Sequence, residues 1–398
     1  MRAGTLFIVV TVVLDAMGIG LIMPIMPDLI QEVQGGSLAN AALWGGALST
    51  VFALMQFVCG PVVGNLSDRY GRRLVLLISL FFMTLDYLVM AVAGSIWLLM
   101  VTRIVGGITA ATHATASAYM ADVSTPEEKA ANFGLIGAGF GIGFVLGPLI
   151  GGLLGEYGTR APFYAAAALS ALNLLFGWLV LKETVTDAIR RPFQWSRANP
   201  LGAFRQIGAH PELRRLLWVF FLYNLALYVY PSVWSYFGQA QFGWTPQLIG
   251  LSLALYGIAA AAVQIWLIRW LIARTGERGT ALWGIIAEGL SCVMLALVKS
   301  GPLALVLTPI ASVGAVATPA LQGMLSRRVA ADAQGELQGV IASVNALAAI
   351  LSPLVMTTAF AAFTADGAAV HFPGAPFVLA AILLGLATLV IRRTPRAS

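Results

Sequence analysis

Four ionisable side chains sit where lipid would have to surround them. Asp15, Asp86, Arg103 and Glu288 each lie inside a long apolar run. An ionisable group at the bilayer centre costs about 2.5–3.5 kcal/mol on insertion scales, so a protein that keeps four must pair them, hydrate them or use them. Arg103 has two candidate partners, Asp15 and Asp86, and one reading is an internal salt bridge that only ties helices together. Glu288 differs, because the second half of the chain offers no cation within the membrane to pair with it, Arg269 falling at the cytoplasmic end of its run. A buried acid with nothing to hold it ionised is suited to loading and releasing a proton. Glu288 is therefore the first candidate for proton coupling, with Asp15, Asp86 and Arg103 assisting.

Other chemistries lack their residues. No P-loop sequence occurs, so ATP is not the fuel. The glycines Gly137, Gly139, Gly141 and Gly143 follow no strand and do not form a dinucleotide site. Cys59 and Cys292 read as small buried hydrophobes, and the three histidines are far apart, with no metal-ligand spacing. No nucleophile–base pair appears either, so the chain is not read as an enzyme. It calls for no cofactor or resident metal; a proton gradient supplies the energy, with the option that the substrate carries a divalent cation.

The elements that position these groups follow from composition. Of 398 residues, 59% are hydrophobic and only 10% charged, against about 25% charged in soluble domains. The chain lacks the polar surface of a water-soluble globule and belongs in lipid. Its net charge of +6 reflects loop topology, not nucleic-acid binding. A helix crosses the roughly 30 Å hydrocarbon core with about 20 residues, and twelve such runs can be drawn. They are Gly4–Ile25, Ala41–Gly64, Leu74–Ala93, Trp97–Ala121, Asn132–Gly155 and Pro162–Leu181, then Leu216–Phe237, Leu248–Ile272, Thr280–Val298, Leu303–Met324, Leu337–Phe360 and Pro376–Ile391. The first is read as an uncleaved span. With the N-terminus inside, 20 of the 23 basic residues fall on the cytoplasmic side and only Arg160 and Lys299 fall outside. This is the positive-inside pattern, and it places both termini in the cytoplasm of a bacterial inner-membrane protein.

Two halves are expected, residues 1–182 and 214–398, joined by a cytoplasmic linker at 183–213. Within the linker, Asn199-Pro200 reads as a helix start, with Leu201, Phe204 and Ile207 on one face of a short interfacial helix. At an offset of 205 residues, Arg69, Gly71 and Arg73 fall on Arg274, Gly276 and Arg278, Gly134 on Gly339, and Pro148 on Pro353. Ala161-Pro162-Phe163 returns as Ala375-Pro376-Phe377, the offset having grown by nine residues. The expected fold is all-α and integral to the membrane: twelve transmembrane helices in two pseudo-symmetric six-helix bundles. Transporters so duplicated bind substrate near the bilayer midplane and work by alternating access. Gly139, Gly143, Gly147, Gly151 and Gly155 recur every fourth residue and make a stripe that lets helices approach closely. With Pro148 they add a candidate gate seal.

These residues resemble the major facilitator superfamily, and within it the tetracycline/proton antiporters of the drug-exporting branch. Gly64-Asn65-Leu66-Ser67-Asp68-Arg69-Tyr70-Gly71-Arg72-Arg73 is similar to the superfamily signature between helices 2 and 3. Gly143 to Pro148 with Gly151-Gly152 resembles the antiporter motif of helix 5. Leu14 to Pro24, Ala53 to Phe57, Leu85-Asp86-Tyr87 and Arg103 to Thr109 look like the corresponding segments of the tetracycline exporters. The resemblance implies a cytoplasmic gate at Asp68, Arg69, Gly71, Arg72 and Arg73, with Gly143, Gly147, Pro148 and Gly151. The second half has Ala273 where Asp68 would repeat, so an acid latch is expected on one half only. The family carries an aspartate at the position of Glu288 and a histidine at that of Ala260.

Gln56, His113, Asn224, Tyr228, Trp234 and Gln264 are candidate substrate contacts, since aromatic faces bind planar drugs and a few polar groups orient them. The implied function is export of a drug-like small molecule, tetracycline-like first, in exchange for protons, by a chain working as a monomer in the bilayer. A proton-coupled or facilitative carrier of a sugar or metabolite is the alternative. A non-transporting receptor is the third reading.

Overall fold

The computed structural model describes residues 3–110, 112–125, 127–187, 190, 192–195, 211–330 and 333–393, the side chains of Ala3, His113, Ala130, Pro211 and Glu212 excepted. The expected linker helix at Asn199 to Ile207 lies outside the described residues. Among those residues the chain is all-α, and every long helix is apolar.

The first half holds α1 (Ala3–Ile22), α2 (Met26–Gln34), α3 (Leu38–Tyr70), α4 (Arg72–Val92), α5 (Ile96–Thr109), α6 (Thr112–Val123), α7 (Lys129–Gly155) and α8 (Ala161–Val180). The second holds α9 (Pro211–Leu227), α10 (Val229–Phe242), α11 (Pro246–Ala262), α12 (Ile268–Leu297), α13 (Gly301–Ala311), α14 (Ala317–Ser326), α15 (Gln334–Thr364) and α16 (Ala375–Arg392). A π-helical turn, Val263–Leu267, joins α11 to α12, and a 3-10 turn, Ser312–Val316, joins α13 to α14. Eleven helical stretches are long and apolar enough to cross a membrane. One of them, Pro246–Leu297, runs for 52 residues and breaks at Gly276, where φ is 67° and ψ 176°. It therefore contains two spans, which makes twelve among the described residues.

Several expected spans are less regular than hydropathy suggested. The first helix stops at Ile22, three residues short of the expected end, because Pro24 and Pro27 interrupt the backbone donors. The span expected at Trp97–Ala121 is interrupted at Ala110, with φ −70° and ψ 30°. The tenth span carries the 3-10 turn just after Pro309, a residue that cannot donate to the helix ladder. Discontinuous membrane helices persist only where other groups satisfy the freed backbone.

The chain divides into two compact units. One comprises Met1–Gly35, Val51–Pro200 and Pro246–Ala254; the other comprises Gly36–Thr50, Leu201–Thr245 and Leu255–Ser398. In the first, Phe7, Val12, Leu76, Leu80, Met120 and Ile136 form a buried apolar core from α1, α4, α6 and α7. In the second, the opening turns of α3 are held by Thr50 Oγ1, which donates to Ile350 O at 2.9 Å.

The internal repeat reappears in contacts. Arg73 Nη2 donates to Trp178 O at 3.0 Å, near the end of α8, and Arg278 Nη2 donates to Ile391 O at 3.1 Å and Arg392 O at 3.0 Å, at the end of α16. Gly71 and Gly276, two residues before these arginines, both have positive φ, at 110° and 67°. Each lets the chain reverse sharply between two long helices, which a side chain would oppose.

Candidate functional site

The α3–α4 loop gathers the expected gate residues. Arg72 Nη1 lies 2.5 Å from Asp68 Oδ1 and donates to Ser67 Oγ at 2.6 Å, while its Nε lies 3.3 Å from Asp122 Oδ2 on α6. Arg73 reaches away to α8, as described above, and Arg69 lies on the surface, its guanidinium 5.1 Å from the Tyr70 ring centroid. The start of α4 is Gly71, which has no side chain to cap it. Glu183 does so instead: Oε1 accepts from Arg72 N at 2.9 Å and Oε2 from Arg73 N at 3.2 Å. A carboxylate at a helix N-terminus satisfies free donors and suits the helix dipole. No local spacing in the sequence announces this contact.

Within the membrane, Arg103 has chosen between its candidates. Its Nη2 lies 2.5 Å from Asp86 Oδ2, joining α5 to α4, and both side chains are buried. The Arg103 guanidinium also faces the Phe52 ring, 5.3 Å from its centroid. Asp15, on α1, has no hydrogen bond or ion pair among the described residues; it lies near enough to Tyr87 for its charge to be felt there.

Glu288 is fully buried on α12. Neither carboxylate oxygen has a hydrogen-bond partner of good geometry, and no cation approaches it among the described residues. A Cβ on Gly314, in the 3-10 turn, would land on Glu288 Oε2, so the missing side chain makes room for the acid. Tyr223 donates to Gly314 O at 3.2 Å. Tyr230, whose hydroxyl is also buried and unpartnered, is within reach of the carboxylate. The π turn packs directly against the 3-10 turn. Two irregular helical turns and an uncompensated acid thus share one place in this unit.

The glycine stripe on α7 fits against α1. A Cβ on Gly147 would stand 2.5 Å from Met17 O and 2.9 Å from Gly20 Cα; on Gly143 or Gly151 it would run into Val13 O or Leu21 O. Pro148 is buried beside them, and a Cβ on Gly250, in the opening turns of α11, would run into Pro148 O.

The expected substrate contacts are dispersed. Gln56 is exposed and donates through Nε2 to Ala110 O at 3.2 Å, the carbonyl freed where α5 ends. Gln264 is exposed on the π turn. Tyr228 lies against Asn345, and Asn224 is buried with Nδ2 donating to Phe220 O at 2.8 Å. Trp234 is a core residue: it is 2% exposed, with ring centroids 6.0 Å from Phe377 and 6.1 Å from both Tyr230 and Trp244. His113 lies on α6, and its side chain is outside the described residues. No group of three or more His, Cys, Asp or Glu side chains gathers as a metal site among the described residues.

Known proteins share this organisation. The family model described as Major Facilitator Superfamily matches residues 8–353 and 225–398. The tetracycline resistance protein, class C, of Escherichia coli is 42% identical over 365 residues, 91% of each chain. The class G tetracycline resistance protein of Vibrio anguillarum is 38% identical over 99% of this chain and 98% of its own. The crystal structure of the nucleoside transporter NupG superimposes with a TM-score of 0.81 over the whole of both chains at 13% identity, a likeness of fold alone.

Proposed function

We propose that this chain, which belongs to the Major Facilitator Superfamily, exports a tetracycline-like drug in exchange for protons. It is a multi-pass membrane transporter and not an enzyme. The observation that carries the coupling mechanism is Glu288: a fully buried carboxylate with, among the described residues, neither a cation nor a hydrogen-bond donor of good geometry on its oxygens.

A neutral, protonated acid is tolerable in that position. The ionised form demands a counter-charge, since burying an isolated carboxylate is very costly. Two species supply one in turn: a proton, or a substrate that brings positive charge, such as a drug carrying a divalent cation. Occupancy by one opposes occupancy by the other, and that competition is what exchange requires. The Arg103–Asp86 pair, already neutral overall, is read as holding α4 against α5, with Asp15 near Tyr87 as a further proton stop. Asp68, Arg72 and Asp122 serve as a gate, their ion pairs ready to exchange partners. The arginine-rich loops support a cytoplasmic location for both termini, and one chain is read as the functional unit.

The experiment is drug-driven proton movement in proteoliposomes containing the purified protein. A tetracycline with magnesium, added on one side, should drive protons toward that side. Protons moving with the drug would instead support symport.

A further inference from the structure

The two units each contain an ion pair at equivalent positions, with the charges exchanged. In the first, Arg72 Nε lies 3.3 Å from Asp122 Oδ2. Each residue's counterpart lies 205 positions on: Glu277 stands for Arg72 and Arg327 for Asp122. These also pair, Arg327 Nε lying 2.9 Å from Glu277 Oε1. Both pairs directly follow the positive-φ glycines Gly71 and Gly276.

The helix ends make the two polarities unequal. Glu277 opens the helix that restarts after Gly276, and Arg327 caps the C-terminus of α14. Acid at an N-terminus and cation at a C-terminus is the arrangement helix dipoles favour. The first unit has it backwards: Arg72 opens α4 and Asp122 sits in the last turn of α6. There the Glu183 carboxylate brings a negative charge to the α4 start.

Below Glu277, α12 runs antiparallel to α14 and the 3-10 turn before it, with three close approaches in register. A Cβ on Gly323 would stand 3.0 Å from Glu277 Oε1; one on Gly284 would stand 2.7 Å from Ala317 N; one on Gly314 would stand 2.7 Å from Glu288 Cβ. The Glu288–Gly314 contact therefore belongs to a seam whose far end carries the Glu277–Arg327 pair. An axial slip of one residue would take Glu288 off its glycine.

We propose that Glu277–Arg327 is the register pin of this seam, its polarity set by the helix ends. Glu277 and Arg327 are then positioning residues for Glu288. This rests on the reading of Glu288 as the coupling acid. Arg327 is three-quarters exposed and Glu277 one-fifth, so neither side chain is part of the packed core and substitutions there act on placement.

The test uses the full chain in phosphatidylethanolamine–phosphatidylglycerol proteoliposomes, with size-exclusion profiles confirming the fold. Two rates are compared: uphill tetracycline transport driven by a pH gradient, and downhill counterflow without one. Glu277→Gln and Arg327→Gln should each lower the uphill rate by about twofold to fivefold, the size one helix-end charge supplies, and leave counterflow nearly unchanged. Arg327→Lys, which keeps the charge, should retain most uphill activity. The exchanged pair, Glu277→Arg with Arg327→Glu, should stay impaired, because both charges then face the wrong helix ends. Recovery by the exchanged pair, unchanged uphill rates in the single variants, or equal loss of both rates would each overturn the pin. Glu288→Gln runs in parallel: if it still transports uphill, the coupling reading itself fails, whatever the pair does.

Discussion

Arg103 and Asp86 form a buried ion pair, Nη2 to Oδ2 at 2.5 Å, that ties α5 to α4. Breaking such a pair from one side strands a charge, at a cost of about 3–5 kcal/mol, whereas removing both partners is far milder. Arg103→Ala should therefore lower the thermal unfolding temperature in detergent sharply, and Arg103→Ala with Asp86→Ala should recover most of the loss. Equal stability of the single and double variants would mean that the pair contributes little.

The α1–α7 contact depends on absent side chains. Gly147→Val should disrupt it, since even a Cβ would stand 2.5 Å from Met17 O, and overpacking typically costs about 1–3 kcal/mol. Gly141→Ala, on the same helix with nothing within 4 Å of the new Cβ, is the control and should be neutral. Expression level and unfolding temperature distinguish them.

The linker begins as part of the first unit. Glu183→Ala should free the amides of Arg72 and Arg73, a loss of about 1–2 kcal/mol for a cap. Hydrogen exchange at those two amides should accelerate in the variant while α8 stays protected. Unchanged exchange would mean that water replaces the carboxylate without penalty.

Much of this was legible in the residues. Spans and their number follow from hydropathy and the placement of arginine, since lipid leaves a chain few alternatives. The reversal at Gly276 was signalled by its repeat of Gly71. What hydropathy cannot see is backbone regularity: the breaks at Ala110 and at Ser312–Val316 interrupt helices without altering their apolar character. The burial of Trp234 against Phe377 and Trp244 has no signal of its own either, because an aromatic residue on a membrane helix reads the same whether it faces a ligand or a packed core. The counterpart of Asp68 is Ala273, without an acid, yet the second half has the Glu277–Arg327 pair close by. Its signal was present, since the repeat offset carries Arg72 and Asp122 onto it, but only the exchanged charges reveal a pair. Glu183 had no signal at all, as its partners lie 111 and 110 residues away.

Gln56 donates to the carbonyl freed at the α5 end. Gln56→Leu should remove the hydrogen bond to Ala110 O, costing about 0.5–1.5 kcal/mol, and should weaken drug binding if this break lines the pathway. Tryptophan-fluorescence titration with tetracycline checks the second effect separately from unfolding temperature. Stability that falls with unaltered affinity would confine Gln56 to a structural role.

The central claim is that Glu288 carries the exchanged proton. It is tested most directly by Glu288→Gln, an uncharged near-isostere, in proteoliposomes under an imposed pH gradient. The expected result is a folded protein that still performs tetracycline counterflow but no longer accumulates drug against its gradient. Accumulation at the unaltered rate would contradict it.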